Sequence, residues 1–313
     1  MNNLPFHECD LDWIPNEKSR PKPSASPPTV ELPNELLIEI FSIAVLESAA
    51  LSRALALTSN WVAKTTRPLR LRRIVLRTFN DIAAFTAFTR ALPESAQFVR
   101  GLWVVTDANN VAEARSIPKL LRACTKLRSL TCQIYALREL CRKNHNLRPV
   151  RLTLTDSVVR VGHQTGFASG NLWPAVLETP HAPALLAHIT HLSLTQHHGS
   201  LEEFFPIAAF PALTHLAMRA QPVSAFLWIP EDAEQIRVFA RAARRFRLVS
   251  AVLVFLPPLR QSREELWRIA REEGVLVYSP AVLDGYRELQ VWKRSVDEED
   301  IWELARRPTH ASR

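Results

Sequence analysis

The sequence predicts an α/β chain, with a short helical segment near the N-terminus followed by a parallel β/α stack. Three observations predict it. First, short β-type runs recur from residue 72 to residue 280, and helical patterns separate most of them. Strand and helix in alternation argue for parallel pairing through right-handed crossovers. Second, "LRSLTC", "ITHLSL" and "LTHLAM" share one pattern, apolar-x-x-Leu-x-apolar. Third, residues 36–45 carry apolar side chains at helical spacing.

Taken in order, residues 1–30 hold Pro21, Pro23, Pro27 and Pro28 among Lys, Ser and Asn. Such a segment buries too little apolar area to offset the entropy of ordering it, so a disordered tail is expected. In "LPNELLIEIFSIAV", Leu36, Leu37, Ile40, Phe41, Ala44 and Val45 form a helical stripe. Pro33 suits a helix start, where its missing N–H costs nothing, and Glu35 favours the positive end of the helix dipole. A second helical stretch through "ALSRALALTSNWVAKTTR" is expected to stop before Pro68. The strand runs are then 72–78, 99–106, 127–133, 150–155, 189–195, 213–219, 250–256 and 275–280. Helices are expected at "NDIAAFTAFTRAL", "SIPKLLRACTK" and "SREELWRIAREEG". The predicted segments are 1–30 (tail), 31–77 (helical), 78–305 (β/α stack) and 306–313 (C-terminal tail).

Composition is that of an ordinary globular chain of 313 residues, 47% hydrophobic and 22% charged. No window reaches about 18 uninterrupted apolar residues, so no spanning helix and no membrane partner are expected. The first residues, "MNNLPFHECDLDW", lack the basic and apolar regions of a secretory signal, so a cytoplasmic and/or nuclear location is expected. Cys9, Cys124, Cys132 and Cys141 form no Cys-x-x-Cys pair and read as reduced thiols. His191, His197 and His198 cluster without a Cys or carboxylate at ligand spacing, so no metal is expected. The net charge is +8, with the densest basic runs at 67–77 and 237–247. Both runs are interleaved with apolar residues, the pattern of a charged face on a packed element, and nucleic acid is not expected as a partner.

The Leu-x-x-Leu strands have a leucine-rich-repeat texture, but their spacing varies from the low twenties to about forty residues, which makes the stack irregular and repeat-like. An ordinary α/β sheet with Leu in its strands fits the same pattern. Upstream, Leu32-Pro33, Glu35-Leu36-Leu37, Ile40-Phe41, Leu55-x-Leu57, Trp61 and the closing run Leu71 to Leu76 together resemble an F-box, over about 45 residues. The remainder resembles the irregular repeats of fungal F-box-like proteins. Two features depart from the family. Thr58-Ser59-Asn60 stands where many members have a Cys or Val before a basic residue, and the usual Pro that opens the second helix is missing. The resemblance implies a three-helix segment that docks on a Skp-family adaptor, and through it on a cullin and a RING-type ubiquitin ligase. It implies contacts from Leu32, Pro33, Leu36, Leu37, Ile40, Phe41, Leu57 and Trp61. Trp61 is also expected to be substantially buried.

Catalysis is not expected, and neither is a cofactor. There is no Gly-rich phosphate loop among only seven Gly, no Gly-x-Ser-x-Gly elbow and no His-Glu-x-x-His. The acidic runs "EEFF", "REEG" and "DEED" read as solvated faces. The implied function is a substrate-recognition subunit of a Skp-cullin-F-box ligase, with the repeat-like region holding an unknown target protein on its loops and exposed strand faces. The alternative is a non-catalytic scaffold whose N-terminal helices only cap the stack.

Overall fold

The computed structural model describes residues 32–104, 117–143, 146–155, 173–195, 205–220, 232–255 and 263–278, with 289, 292–293, 296 and 301–306. The N-terminal tail, Cys9, His197, His198 and the acidic residues 202–203 and 297–300 lie outside them.

Each of the eight expected runs contains one strand: β1 (Arg73–Leu76), β2 (Gly101–Val104), β3 (Ser129–Cys132), β4 (Arg151–Leu154), β5 (His191–Leu194), β6 (His215–Arg219), β7 (Ser250–Val254) and β8 (Leu276–Tyr278). They form one sheet in sequential order, and every neighbouring pair is parallel. Crossovers of one hand that always step the same way keep their connecting helices on one face. Aligned positions recur at unequal intervals, 22 residues from Leu130 to Leu152 but 40 from Leu152 to Leu192.

The pleat sorts the side chains. The second row, Ile74, Leu102, Leu130, Leu152, Leu192, Leu216 and Ala251, and the fourth, Leu76 to Leu253, point into one continuous core. The repeated Leu-x-Leu is therefore a two-row ladder under the helices. The helices contribute Ile82 and Phe85, Leu137 and Leu140, Ile236 and Phe239, and Leu266 and Ile269 to the same core. The strand entrances repeat as well. The carbonyls of Arg72, Arg100, Arg128, Val150, Thr190 and Thr214 each accept two N–H bonds from the following strand.

The other face is not bare. Its rows include Arg73, Gly101, Ser129, Arg151, His191 and His215, then Val75, Trp103, Thr131, Thr153, Ser193, Ala217 and Val252. Trp292 packs edge-on against Trp103 at 5.5 Å and donates its indole N–H to Ser129 Oγ at 3.1 Å. The Arg73 guanidinium donates to the Lys293 carbonyl at 2.8 Å. Trp302, from the helix Ile301–Arg306, lies edge-on to the stacked imidazoles of His191 and His215, whose centroids are 4.1 Å apart. Both imidazoles are held alike. The Thr190 hydroxyl donates to Val150 O and lies 2.8 Å from His191 Nδ1, and the Thr214 hydroxyl donates to Thr190 O and lies 2.8 Å from His215 Nδ1. The tautomer of each imidazole sets whether its Nδ1 donates to that hydroxyl or accepts from it. The shared "THL" texture of β5 and β6 thus marks two copies of one hydrogen-bonding device. The expectation of exposed strand faces fails at both ends of this face, because tryptophans from the C-terminal segment cover them.

Gly101 shows how closely that segment approaches. A Cβ there would meet Val296 Cγ2 at 2.6 Å and Trp292 Cζ2 at 3.1 Å. Gly101→Val is expected to push both side chains off the sheet and to lower stability by about 1–3 kcal/mol. Tryptophan emission should shift red as Trp292 meets water. An unchanged emission maximum and unfolding midpoint would contradict this packing.

Candidate functional site

Three helices precede the sheet: α1 (Asn34–Glu47), α2 (Ala49–Thr58) and α3 (Asn60–Leu71). Single serines set their boundaries. Ser48 Oγ accepts the Leu51 N–H at 3.3 Å and Ser59 Oγ accepts the Val62 N–H at 3.1 Å, so each serine caps the helix that follows. Ser48 takes the place of the missing Pro, and Ser59 gives a structural role to the departure at 58–60. The expected stop before Pro68 is wrong, because α3 runs on to Leu71. A proline in the last turn forfeits one intrahelical bond and leaves the preceding turns intact. α3 packs on β1 and on the 3-10 turn Pro93–Phe98, so it joins the helices to the edge of the sheet. Residues 73–76, the end of the expected helical segment, are the sheet's edge strand. The basic run 67–77 is thus divided between a helix end and a strand. The run 237–247 does lie along a helix face: Arg237 and Arg241 pair with Glu234 while Ile236, Phe239 and Ala240 are buried.

α1 is apolar on two sides. Leu37, Phe41 and Ala44 are half-buried and Val45 is buried, all turned into the helical module. Phe41 meets Trp61 of α3 edge to face at 6.2 Å. Leu36, Ile40 and Ile43, at i, i+4 and i+7, form a second stripe that remains exposed. Leu32, Ile38, Leu51, Leu57 and Trp61 are exposed too, so eight of the twelve exposed large apolar side chains among the described residues fall between 32 and 61. Scattered apolar exposure is ordinary, but this concentration makes residues 32–61 the candidate interaction surface.

Of the eight residues expected at the adaptor contact, Leu32, Pro33, Leu36, Ile40, Leu57 and Trp61 are exposed, whereas Leu37 and Phe41 serve mainly to hold α1 on its neighbours. Ile43 and Leu51 escaped the sequence reading, although the i+7 step from Leu36 points at Ile43. The expected burial of Trp61 is overturned, since 44% of it is exposed. It caps one edge of Phe41 and leaves its other side to solvent. Trp61→Ala is therefore expected to cost about 1 kcal/mol, below the 3–5 kcal/mol of a core tryptophan. A urea midpoint that falls by the full core amount would contradict this.

Cys124, Cys132 and Cys141 are buried free thiols. Burial pushes Cys124 and Cys141 up to about 12 and Cys132 higher still, with Cys141 as a second cause there. They stay protonated at neutral pH and supply no thiolate nucleophile. Among the described residues, no group of three His, Cys, Asp or Glu could hold a metal ion, and no helix is long and apolar enough to cross a membrane. Comparison with known proteins returns no matching family model, no matching curated protein and no matching solved structure.

Proposed function

We propose that this chain is a substrate-recognition subunit of a Skp-cullin-F-box ubiquitin ligase, in which α1–α3 dock on a Skp-family adaptor and the repeat-like α/β body holds a target protein. The observation that carries the reading is the exposed stripe Leu36, Ile40 and Ile43, with Leu57 and Trp61, on a helical module already closed on its other side. An apolar helix face of this kind suits a groove on a partner, where burial contributes about 25 cal/mol per Å². The residues exposed there largely coincide with those the F-box resemblance implies.

The function needs no chemistry on this chain. A receptor acts by raising the effective concentration of its target beside the ubiquitin-loaded enzyme. The scaffold reading uses the same packing of α3 on β1, which covers the edge of the sheet. A cap alone has no use for an outward stripe, and Leu57 at 86% exposure contributes nothing to covering the sheet. Co-expression with a Skp-family adaptor tests the proposal. A one-to-one complex that survives size-exclusion chromatography supports it, and elution of the folded chain without the adaptor favours the scaffold.

A further inference from the structure

The C-terminal segment meets the sheet at two places, each a small apolar cluster separate from the main core. At one, Trp292 and Leu289 pack with Trp103, and the Trp292 indole N–H is bonded to Ser129 Oγ. At the other, Trp302 of the helix Ile301–Arg306 packs with Ala217 and Val252, bordered by Val254, Leu276 and Tyr278. The second contact is the less complete. The Trp302 indole N–H and the hydroxyl of Ser250, which neighbours His215 across the sheet, are buried, and neither has a hydrogen-bond partner among the described residues. A buried unpaired polar group opposes the closed arrangement, and both groups gain partners on meeting water.

The second contact also closes over two titratable groups. His191 and His215 are half-buried and stack within 10° of parallel, their centroids 4.1 Å apart, and Trp302 stands edge-on to them at 4.9 and 5.5 Å. The first proton taken up meets no like charge within the pair. The second meets an imidazolium 4.1 Å away, a strong repulsion in a half-buried site. Among the described residues, the other charged or titratable groups on this face are Arg151 beside His191 on β4, Arg219 on β6 and Tyr278 on β8. The covering helix carries Glu303 and Arg306, both exposed. The repulsion arises inside the pair, whatever these groups bond to.

We propose that the helix Ile301–Arg306 is an acid-sensitive latch, which leaves the sheet when His191 and His215 both take up protons and so uncovers Ala217, Val252 and Leu276. Closed, the stacked pair takes its second proton less readily than two separated imidazoles, whose ordinary range lies at about 6.5. Closure is therefore fully favoured above about pH 6.5 and is lost progressively as the pH falls below it. Trp292 rests on Ser129 instead of an imidazole, with its N–H satisfied, and keeps the rest of the segment in place. The inference goes beyond the receptor reading and does not rest on it.

Hydrogen exchange of the full chain, followed by mass spectrometry at about pH 7.5 and about pH 5.0 and corrected for the intrinsic effect of pH, tests the latch. A helix of 6 residues does not persist alone, so its amides exchange freely once it detaches. They should exchange about tenfold faster at the lower pH, while the amides of β5, β6 and β7 stay protected. His191→Phe with His215→Phe keeps two flat rings under Trp302 but binds no proton, and its helix should exchange alike at both pH values. His215→Gln, which leaves one imidazole and no repulsion, should lose most of the acid response as well. Trp302→Ala should free the helix at both pH values and so calibrates the open state. Equal or greater protection of the parent's helix at the lower pH overturns the proposal, as does an acid response that persists in both histidine variants. A parallel loss of protection in β5, β6 and β7 means general acid unfolding and overturns it too.

Discussion

Trp173→Ala is expected to destabilise the chain by about 3–5 kcal/mol, the largest loss from any single substitution considered. Trp173 opens the helix Trp173–Leu177 and is 2% exposed. Its ring stands nearly perpendicular to Phe205 at 5.7 Å and to Phe210 at 5.6 Å, and those two phenylalanines stack on each other at 5.3 Å. The indole thus joins the connection before β5 to the one before β6, and neither side could fill the space it leaves. Edge-to-face contacts contribute beyond the area they bury, so Trp173→Phe should recover only part of the loss. Urea titration followed by far-ultraviolet circular dichroism checks this. The midpoint should fall with an unchanged slope, and a midpoint equal to that of the parent would mean that the cluster does not support the stack.

The double variant Leu36→Asp, Ile40→Asp is expected to lose adaptor binding by roughly a thousandfold or more while the chain stays folded. Placing carboxylates where a groove requires apolar groups costs several kcal/mol. Both positions are about half exposed, so the free protein loses little, within about 0.5 kcal/mol per site. Leu37→Asp on the same helix supplies the contrast, because Leu37 turns into the module and its substitution should loosen α1 from α2 and α3. Surface plasmon resonance against an immobilised adaptor, with a melting curve for each variant, separates the two effects. If the double variant binds as the parent does, the stripe is not the docking face.

The strands were legible because most are short runs with apolar residues at period two, Leu152 and Leu154 or Leu192 and Leu194 among them, and eight such runs admit few arrangements when helical patterns separate them. The sequential order of the sheet follows from those connections. The helix Ile134–Cys141 escaped notice because it starts one residue beyond β3, with no turn signal between them. Pro68 was misjudged because a single proline, which forfeits one intrahelical bond, need not end a helix, and α3 continues one turn to Leu71. Trp61 was misread because periodicity shows that α1 and α3 are apolar but not which of two apolar faces is covered. Trp292 and Trp302 gave no signal, being isolated aromatics on either side of an acidic run, and only the tertiary structure sets them on the sheet. His191 and His215 belong to different strands, and the strand register alone stacks them. The exposed stripe, by contrast, was half visible, since Leu36 and Ile40 belong to a local helical pattern.

The central claim is that α1–α3 present a surface built for an adaptor, and calorimetric titration of a purified Skp-family adaptor into the full chain tests it most directly. The account predicts one-to-one binding with a dissociation constant on the order of a micromolar or tighter. It also predicts a negative heat-capacity change, the mark of apolar surface leaving water. No heat of binding at tens of micromolar, from a chain that melts cooperatively, would contradict the account and leave the helices as a cap on the edge of the sheet.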